Sequence, residues 1–119
     1  MSYFEELDLP MDRYLEANAS SEPEILKKLR KETYQKTTQP HMISGYLQGR
    51  LLSIISKMMS PNNILEIGTF TGYATLCLAE GLSKDGKIYT LDKNEDLAYI
   101  PKKYFAESQF SNQIEFILG

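Results

Sequence analysis

The chain has 119 residues, of which 42% are hydrophobic and 24% are charged, a length and balance suited to one domain, or part of one, with a buried core. Its 13 basic and 16 acidic residues give a net charge of −3, which excludes a general basic field that would attract nucleic acid. No apolar run reaches the ~18 residues that span a bilayer, and the acidic start lacks the apolar centre of a secretory signal. We therefore expect a cytoplasmic protein that makes no membrane contact.

Residues 1–60 are predicted to be an N-terminal helical segment. A short helix is expected over about 11–19. A second helix is expected to follow, with Ser21 as its cap and Pro23 in its first turn, because a cap hydroxyl accepts an amide hydrogen and proline is tolerated at the first helical position. The basic run 27–31 (Lys-Lys-Leu-Arg-Lys) on this helix has two interpretations, a solvated helix face or a contact for RNA phosphates.

A long amphipathic helix is predicted from about Ser44 to Met59, ended by Pro61. Its apolar residues recur at intervals of three and four, the spacing that brings side chains to one helix face. We expect this face to pack in the core, with Met58 and Met59 filling space between neighbouring side chains. The face comprises Leu47, Leu51, Ile54, Ile55 and Met58.

From residue 61 onwards, strand and helix patterns alternate in the order β-α-β-α-β. Such alternation predicts an α/β fold with parallel strands joined by right-handed crossovers. The single cysteine, Cys77, lies in the first of these helix patterns and is predicted to be a buried, inert thiol. Pro101 lies inside the second, so that helix is either kinked there or begins late, with Pro101 in its first turn. The strands are expected at 64–67, 87–91 and 113–118, and the helices at 71–82 and within 95–108.

Two glycines stand in the turn between the first strand and the following helix, and Asp92 ends the second strand. Ligands of open parallel sheets bind beyond the carboxyl ends of the strands. Gly68 lets the backbone approach a ligand, while Gly72 lets the helix pack near the strand and leaves its first amides free for an anion. Asp92 can accept hydrogen bonds from both hydroxyls of a ribose. Glu66, an acid in a buried strand, is expected to have a bonding partner. These residues predict a nucleoside cofactor.

The spacing of the turn distinguishes between nucleoside cofactors. Dinucleotide-binding folds carry G-x-G-x-x-G, whereas this chain has E-x-G-x-x-x-G from Glu66 to Gly72. Thr69 and Phe70 stand where a second glycine would make room for a pyrophosphate, which disfavours a nicotinamide oxidoreductase. The pattern favours a ligand with an adenosine and no diphosphate. S-adenosylmethionine fits, with its ribose at Asp92 and its amino-acid end at the glycine turn.

The stretch 65–74 (Leu-Glu-Ile-Gly-Thr-Phe-Thr-Gly-Tyr-Ala) resembles the first motif of the S-adenosylmethionine-dependent O-methyltransferases related to caffeoyl-CoA and catechol O-methyltransferases. The segment 42–49 resembles the region before that family's first long helix, and 85–88 with 91–92 matches its second strand. The resemblance covers nearly the whole chain. It implies a truncated, Rossmann-like class I methyltransferase fold, with the first half of the cofactor-binding domain at 61–119.

The resemblance also implies roles for individual residues. Ser44 would contact the methionine part of the cofactor, and Asp92 the ribose. Met42 would border the acceptor substrate, with His41 beside it, and no catalytic residue is expected in this chain. Family members commonly have serine where this chain has Ala74, so a backbone amide is expected to serve in place of that hydroxyl. The implied cofactor-binding residues are Ser44, Glu66, Gly68, Thr69, Gly72, Ala74 and Asp92.

Members of the family are longer than this chain, and their ligands for a divalent metal (Mg or similar) and their catalytic lysine lie in later strands. The resemblance therefore implies the cofactor-binding N-terminal half of an O-methyltransferase acting on a small phenolic or catechol-type acceptor, inactive by itself. Two alternatives stay open: a methyltransferase of hydroxyuridine in tRNA, and a non-catalytic cofactor-binding fragment. A sheet edge and apolar faces left uncovered predict a homodimer.

Overall fold

The structure is a computed structural model that describes residues 10–39 and 42–119. In these ranges three helices precede an alternation of strands and helices, in the order that the sequence predicts. The helices are α1 (Pro10–Asn18), α2 (Glu24–Lys36), α3 (Tyr46–Met59), α4 (Tyr73–Ala79) and α5 (Tyr99–Glu107). The strands are β1 (Asn63–Ile67), β2 (Lys87–Asp92) and β3 (Ile114–Leu118), with a short 3₁₀ helix at Ser111–Gln113 before β3.

The three strands form one parallel sheet in the order β1-β2-β3, which confirms the predicted α/β fold. Ile67, Leu91 and Ile117 are in register across it. Because parallel strands end at the same edge of a sheet, this register places Gly68, one residue beyond β1, beside Asp92, the last residue of β2. The two halves of the predicted site therefore meet at one edge.

Three helix boundaries refine the sequence prediction. Pro23, not Ser21, is the cap residue of α2, and no side chain bonds to the first amides of that helix. Pro101 is the third residue of α5, which confirms the late start. The first helix after β1 begins later than the predicted residue 71, because Gly72 has a φ of +97°, a value that no residue inside an α-helix adopts.

The core lies between one face of the sheet and helices α2, α4 and α5. Cys77 is buried, as predicted, and burial raises the pKa of its thiol to about 12, which disfavours the reactive thiolate. Residues from both the helical segment and the strand-containing segment share this core, including Ile43 from the loop before α3. The fully packed side chains are Leu26, Leu29, Ile43, Tyr73, Leu76, Cys77, Ile100, Tyr104 and Phe105.

Helix α3 buries its polar face against α4 and exposes its apolar face, which is the reverse of the prediction. Arg50 donates to both carboxylate oxygens of Glu80, at 3.1 and 2.6 Å. Gly49 lets the two helices approach closely, since a Cβ there would lie 2.7 Å from the ring of Tyr73. The prediction of Met58 and Met59 as core filler is wrong. The exposed side chains are Leu51 (55%), Ile54 (53%), Ile55 (44%), Met58 (81%) and Met59 (72%).

One face of the sheet is also uncovered by the described elements. Exposure alternates along β1, where Leu65 is 68% and Ile67 is 83% exposed, and it continues on the neighbouring strands at Tyr89 and Ile117. Helix α4 packs against the other face, at β2. None of these helices is both long and apolar enough to cross a bilayer.

Candidate cofactor site at the strand ends

The turn between β1 and α4 has an unusual backbone conformation. Gly68, Phe70 and Gly72 have φ values of +94°, +50° and +97°, the left-handed region that side chains disfavour. The two glycines are needed for different reasons. A Cβ at Gly68 would meet nothing within 4 Å, so this position is open to a ligand, whereas a Cβ at Gly72 would lie 2.6 Å from the ring of Phe105. Gly72 thus lets the turn pack against α5.

Asp92 holds the turn in place. Its Oδ2 accepts a hydrogen bond from the backbone N–H of Phe70 at 2.8 Å, across the gap between the ends of β1 and β2. Its Oδ1 accepts from the backbone N–H of Asn94 at 3.1 Å. A bond to an ionised acceptor is stronger than one between neutral groups, so it can offset the cost of the positive φ at Phe70. Each oxygen retains a lone pair for a further donor.

Glu66 lies beneath the turn in a chain of hydroxyl groups, so its predicted bonding partner is found. Its Oε1 accepts hydrogen bonds from Thr75 and, at 2.6 Å, from Thr90. The hydroxyls of Thr69 and Thr90 lie 2.6 Å apart, and since Thr90 donates to the carboxyl group, Thr69 donates to Thr90. Burial raises the pKa of Glu66, and the nearby charge of Asp92 raises it further.

The backbone amides at the start of the turn are already engaged. The N–H groups of Gly68 and Thr69 both donate to the carbonyl of Leu91, at 2.8 and 3.2 Å. Because the hydroxyl of Thr69 is also engaged, a ligand would meet the carbonyls and the open Cα surface at Gly68. Helix α4 has only seven residues, so its dipole is small. The amides and the helix dipole therefore have less to offer a ligand than the sequence predicted, and Asp92 is the stronger candidate for a ligand contact.

The remaining predicted residues have no described hydrogen bond to the residues at this edge. Ser44 is partly buried and Met42 is 57% exposed, on either side of Ile43, which belongs to the same core cluster as Tyr73. Ala74 is partly buried in the first turn of α4. His41 lies outside the described residues. Within the described ranges, no three His, Cys, Asp or Glu side chains gather closely enough to hold a metal ion.

Sequence reasoning missed two residues of the α2 region that contact the turn or the first residue of α4. The hydroxyl of Tyr73 donates to Glu22, and the hydroxyls of Thr33 and Thr71 lie 2.9 Å apart. Glu22 is only 7% exposed, and Thr33 is fully buried. The one available signal was a threonine on the apolar face of α2, since Leu26, Leu29 and Thr33 follow one another at helical spacing.

Solved structures with the same architecture define the class of protein. The methyltransferase PaMTH1 of Podospora anserina, in an SAH-bound crystal structure, superposes with a TM-score of 0.86 at 24% identity, over 100% of this chain and 51% of that one. The O-methyltransferase TomG of Streptomyces achromogenes, involved in tomaymycin synthesis and solved in complex with SAM, gives 0.85 at 28% identity, over 100% and 52%. The fold is that of the class I methyltransferases, and the chain contains about half of it.

Sequence comparison then identifies the family. A family model described as O-methyltransferase matches residues 16–119. Caffeoyl-CoA O-methyltransferase 3 of Nicotiana tabacum is 37% identical over 98 residues, which are 82% of this chain and 40% of that protein. The chain belongs to the O-methyltransferase family, as the resemblance predicted. It spans about two fifths of the length of such curated relatives.

Proposed function

We propose that this chain is the cofactor-binding half of an S-adenosylmethionine-dependent O-methyltransferase. The observation that carries the proposal is the turn 68–72, which has positive φ at three positions and is held at Phe70 by the strand-end carboxylate of Asp92. Family membership and the SAM complex of TomG, at 28% identity, support the same ligand. The open position at Gly68 leaves room for it.

The residues at the strand ends would divide the work of binding. Asp92 accepts hydrogen bonds from the ribose hydroxyls through the lone pairs that Phe70 and Asn94 leave free. Glu66 keeps Oε2 for a ligand donor, because among the described residues only Oε1 receives hydrogen bonds. Ser44 meets the methionine part of the cofactor. The other contacts are assigned to the backbone at Gly68, Thr69, Gly72 and Ala74.

Bound S-adenosylmethionine supplies an electrophilic methyl group. Transfer to a hydroxyl oxygen requires the two reactants to be aligned, so the contribution of this chain is to bind and orient. We place a small phenolic or catechol-type acceptor beside the exposed Met42. A divalent metal of the Mg type is proposed only for the complete enzyme, with ligands outside this chain.

A hydroxylated tRNA uridine is the alternative acceptor, and the basic run 27–31 is the surface that would meet RNA phosphates. In the structure, two basic side chains of this run are already engaged in ion pairs. Arg30 is engaged with the buried Glu22 at 2.7 Å, and Lys27 pairs with Glu24 at 3.3 Å. Lys28 and Lys31 remain exposed, without a described ion-pair partner. This favours the small-molecule acceptor.

We further propose that the protein is cytoplasmic and forms a homodimer. The exposed apolar face of α3 and the uncovered face of the sheet are the surfaces that a second copy could cover. Exposed apolar area of this kind favours association.

Isothermal titration calorimetry of this chain with S-adenosylmethionine, and separately with NADH, tests the proposed cofactor. We expect binding of the first and none of the second. Asp92→Asn removes a charged acceptor and should weaken binding by roughly 10- to 100-fold, since a hydrogen bond to a charged group contributes about 1.5–3 kcal/mol. Asp96→Asn, at an exposed site four residues away, is the matched control and should bind as the parent does.

No heat of binding with S-adenosylmethionine would overturn the proposal, and binding of NADH would revive the oxidoreductase interpretation. A version of the chain extended by a complementary second half then separates the acceptors. Metal-dependent methylation of a catechol supports the proposed substrate class, whereas methylation of hydroxyuridine tRNA alone supports the alternative. Binding without methylation of either acceptor would support a non-catalytic fragment.

A further inference from the structure

The α2 region contacts the cofactor turn through the two residues that flank Gly72. Thr71 and Tyr73 are fully buried, and their hydroxyl groups are directed at Thr33 of α2 and at Glu22, two residues before that helix. The polar and charged residues of this region that are buried are Glu22 and Thr33. Thr33 bonds to Thr71 in the turn, and Glu22 bonds to Tyr73, the first residue of α4. Its apolar side chains, Leu26 and Leu29, belong to the common core.

The hydroxyl of Thr33 connects the turn to the backbone of α2. It donates to the carbonyl of Leu29 at 2.7 Å, and a carbonyl can only accept. The same hydroxyl lies 2.9 Å from the hydroxyl of Thr71, within hydrogen-bond distance. The rotamer of Thr71, and with it the backbone just before Gly72, is thus tied to a helix that lies 38 residues earlier in the chain.

The contact between Tyr73 and Glu22 is held from the other side by an arginine. The guanidinium of Arg30 donates to both oxygens of Glu22, at 3.1 and 2.7 Å. A carboxylate gripped by two parallel donors has little freedom to turn, so the oxygen that Tyr73 contacts stays in one place. The first residue of α4 is therefore anchored to α2.

We propose that Thr33 and Glu22 are positioning residues for the cofactor, acting through Thr71 and Tyr73 to hold the glycine turn in its binding conformation. The inference rests on the proposed function, since it concerns the contacts that the α2 region makes with the same cofactor turn. Asp92 bonds to the turn at Phe70 from the sheet side. Thr33 and Glu22 bond to Thr71 and Tyr73 from the side of α2. Without the contacts from the side of α2, the turn would spend time in conformations that do not match the ligand, which lowers its apparent affinity.

Calorimetric titration with S-adenosylmethionine tests this, at a temperature where circular dichroism shows every variant to be as folded as the parent. Thr33→Val and Tyr73→Phe each remove one hydroxyl and little volume. We expect each to weaken binding by about tenfold, the factor that corresponds to one net hydrogen bond. Thr37→Val and Tyr104→Phe are matched controls, because their hydroxyls bond to Thr33's carbonyl and to Glu32, away from the turn. Both should bind within about twofold of the parent.

Two further variants separate positioning from a general effect on stability. Thr33→Ser keeps the hydroxyl and loses a buried methyl, so its melting temperature should fall while its affinity stays that of the parent. The double variant Thr33→Val with Thr71→Val leaves no hydroxyl unpaired, so its stability should recover relative to Thr33→Val while its affinity remains about tenfold lower. Affinity and stability would then vary independently.

Equal affinity in the parent, Thr33→Val and Tyr73→Phe would overturn the positioning role while leaving the proposed function intact. Affinity that simply follows melting temperature across all six variants would overturn it too. A parent chain that does not bind S-adenosylmethionine at all would refute the proposed function itself, and with it this inference.

Discussion

Helices α2 and α3 both pack against α4, and both carry an apolar face, but they bury opposite sides. Helix α2 buries Leu26 and Leu29. Helix α3 buries Gly49, Arg50, Ser53 and Ser56, and its apolar face is exposed. Periodicity therefore identifies which residues share a face, but not which face a neighbour covers. The contact with α4 selected the small and charged face of α3, where a glycine allows close approach and Glu80 neutralises the arginine.

The sheet shows the same contrast within single strands. In β2, Ile88 and Thr90 are fully buried under the helices, while in β1 the alternate residues Leu65 and Ile67 are exposed on the opposite face. Parallel strands are apolar on both faces, so the composition of a strand does not indicate which face is covered. Substitutions on the two sides should therefore differ sharply in their effect on stability.

The largest difference is expected between Ile88→Ala and Ile67→Ala. Ile88 is completely buried, and its truncation should lower the free energy of unfolding by about 2–5 kcal/mol. Ile67 is 83% exposed, and the same change should stay within about 0.5 kcal/mol. Urea unfolding followed by circular dichroism measures both. Comparable losses would mean that the second face is covered in solution.

The second largest difference in stability is expected between alanine substitutions at the two glycines of the turn. Gly68→Ala has free space and carries only the left-handed backbone cost, about 1–2 kcal/mol. Gly72→Ala carries the same cost and also meets the ring of Phe105, which should add about 1–3 kcal/mol. Chemical denaturation of both variants provides the comparison. An equal loss at both sites would show that α5 yields to the new methyl group without strain.

The exposed face of α3 should affect association rather than stability. Met58→Lys places a charge on the exposed apolar face, and Gln48→Lys places the same charge at an exposed polar position of the helix. If a second copy covers the apolar face, sedimentation velocity should show a smaller dimer fraction for Met58→Lys alone, with unfolding free energies within about 0.5 kcal/mol of the parent. Loss of the dimer in neither variant would contradict the proposed interface.

The smallest effect is a pH dependence on the covered side, where two carboxyl groups shift in opposite directions. Burial raises the pKa of Glu22, but hydrogen bonds from Arg30 and Tyr73 outweigh burial, and the pKa falls below the ordinary value of 4.5. Burial raises the pKa of Glu66 above the same value. Glu22 should therefore contribute stability above pH 4.5 that is lost as the pH falls through its folded pKa.

For Glu66 the sign is reversed, because the folded state binds the proton more tightly. Its protonated form contributes stability that is fully present below pH 4.5 and is lost as the pH rises through the folded pKa. Urea midpoints should be measured on both sides of this pH. Glu22→Gln should lose less stability than the parent as the pH falls, and Glu66→Gln should lose less as the pH rises. Identical pH profiles in the two variants would contradict this assignment.

Much of the candidate site followed from local pattern. The strand-turn-helix at Gly68, the carboxylate at Asp92 and their meeting at one sheet edge were predicted, because strand period and parallel topology suffice to place them. The grip of Asp92 on Phe70 and the engagement of the Thr69 amide were not predicted. Both depend on how the turn folds back on β2, which no spacing in the sequence encodes.

The order of elements, the parallel sheet and the need for glycine at 68 and 72 were thus decided by the sequence itself, through short-range periodicity and backbone sterics. The tertiary structure alone decided that the apolar face of α3 is exposed and that the α2 region bonds to the residues on either side of Gly72. Thr33 and Thr71 are 38 residues apart, and Glu22 and Tyr73 are 51 apart. The two residues of each pair become neighbours only when the packed helices bring them together, so no local pattern in the sequence predicts which residue pairs with which.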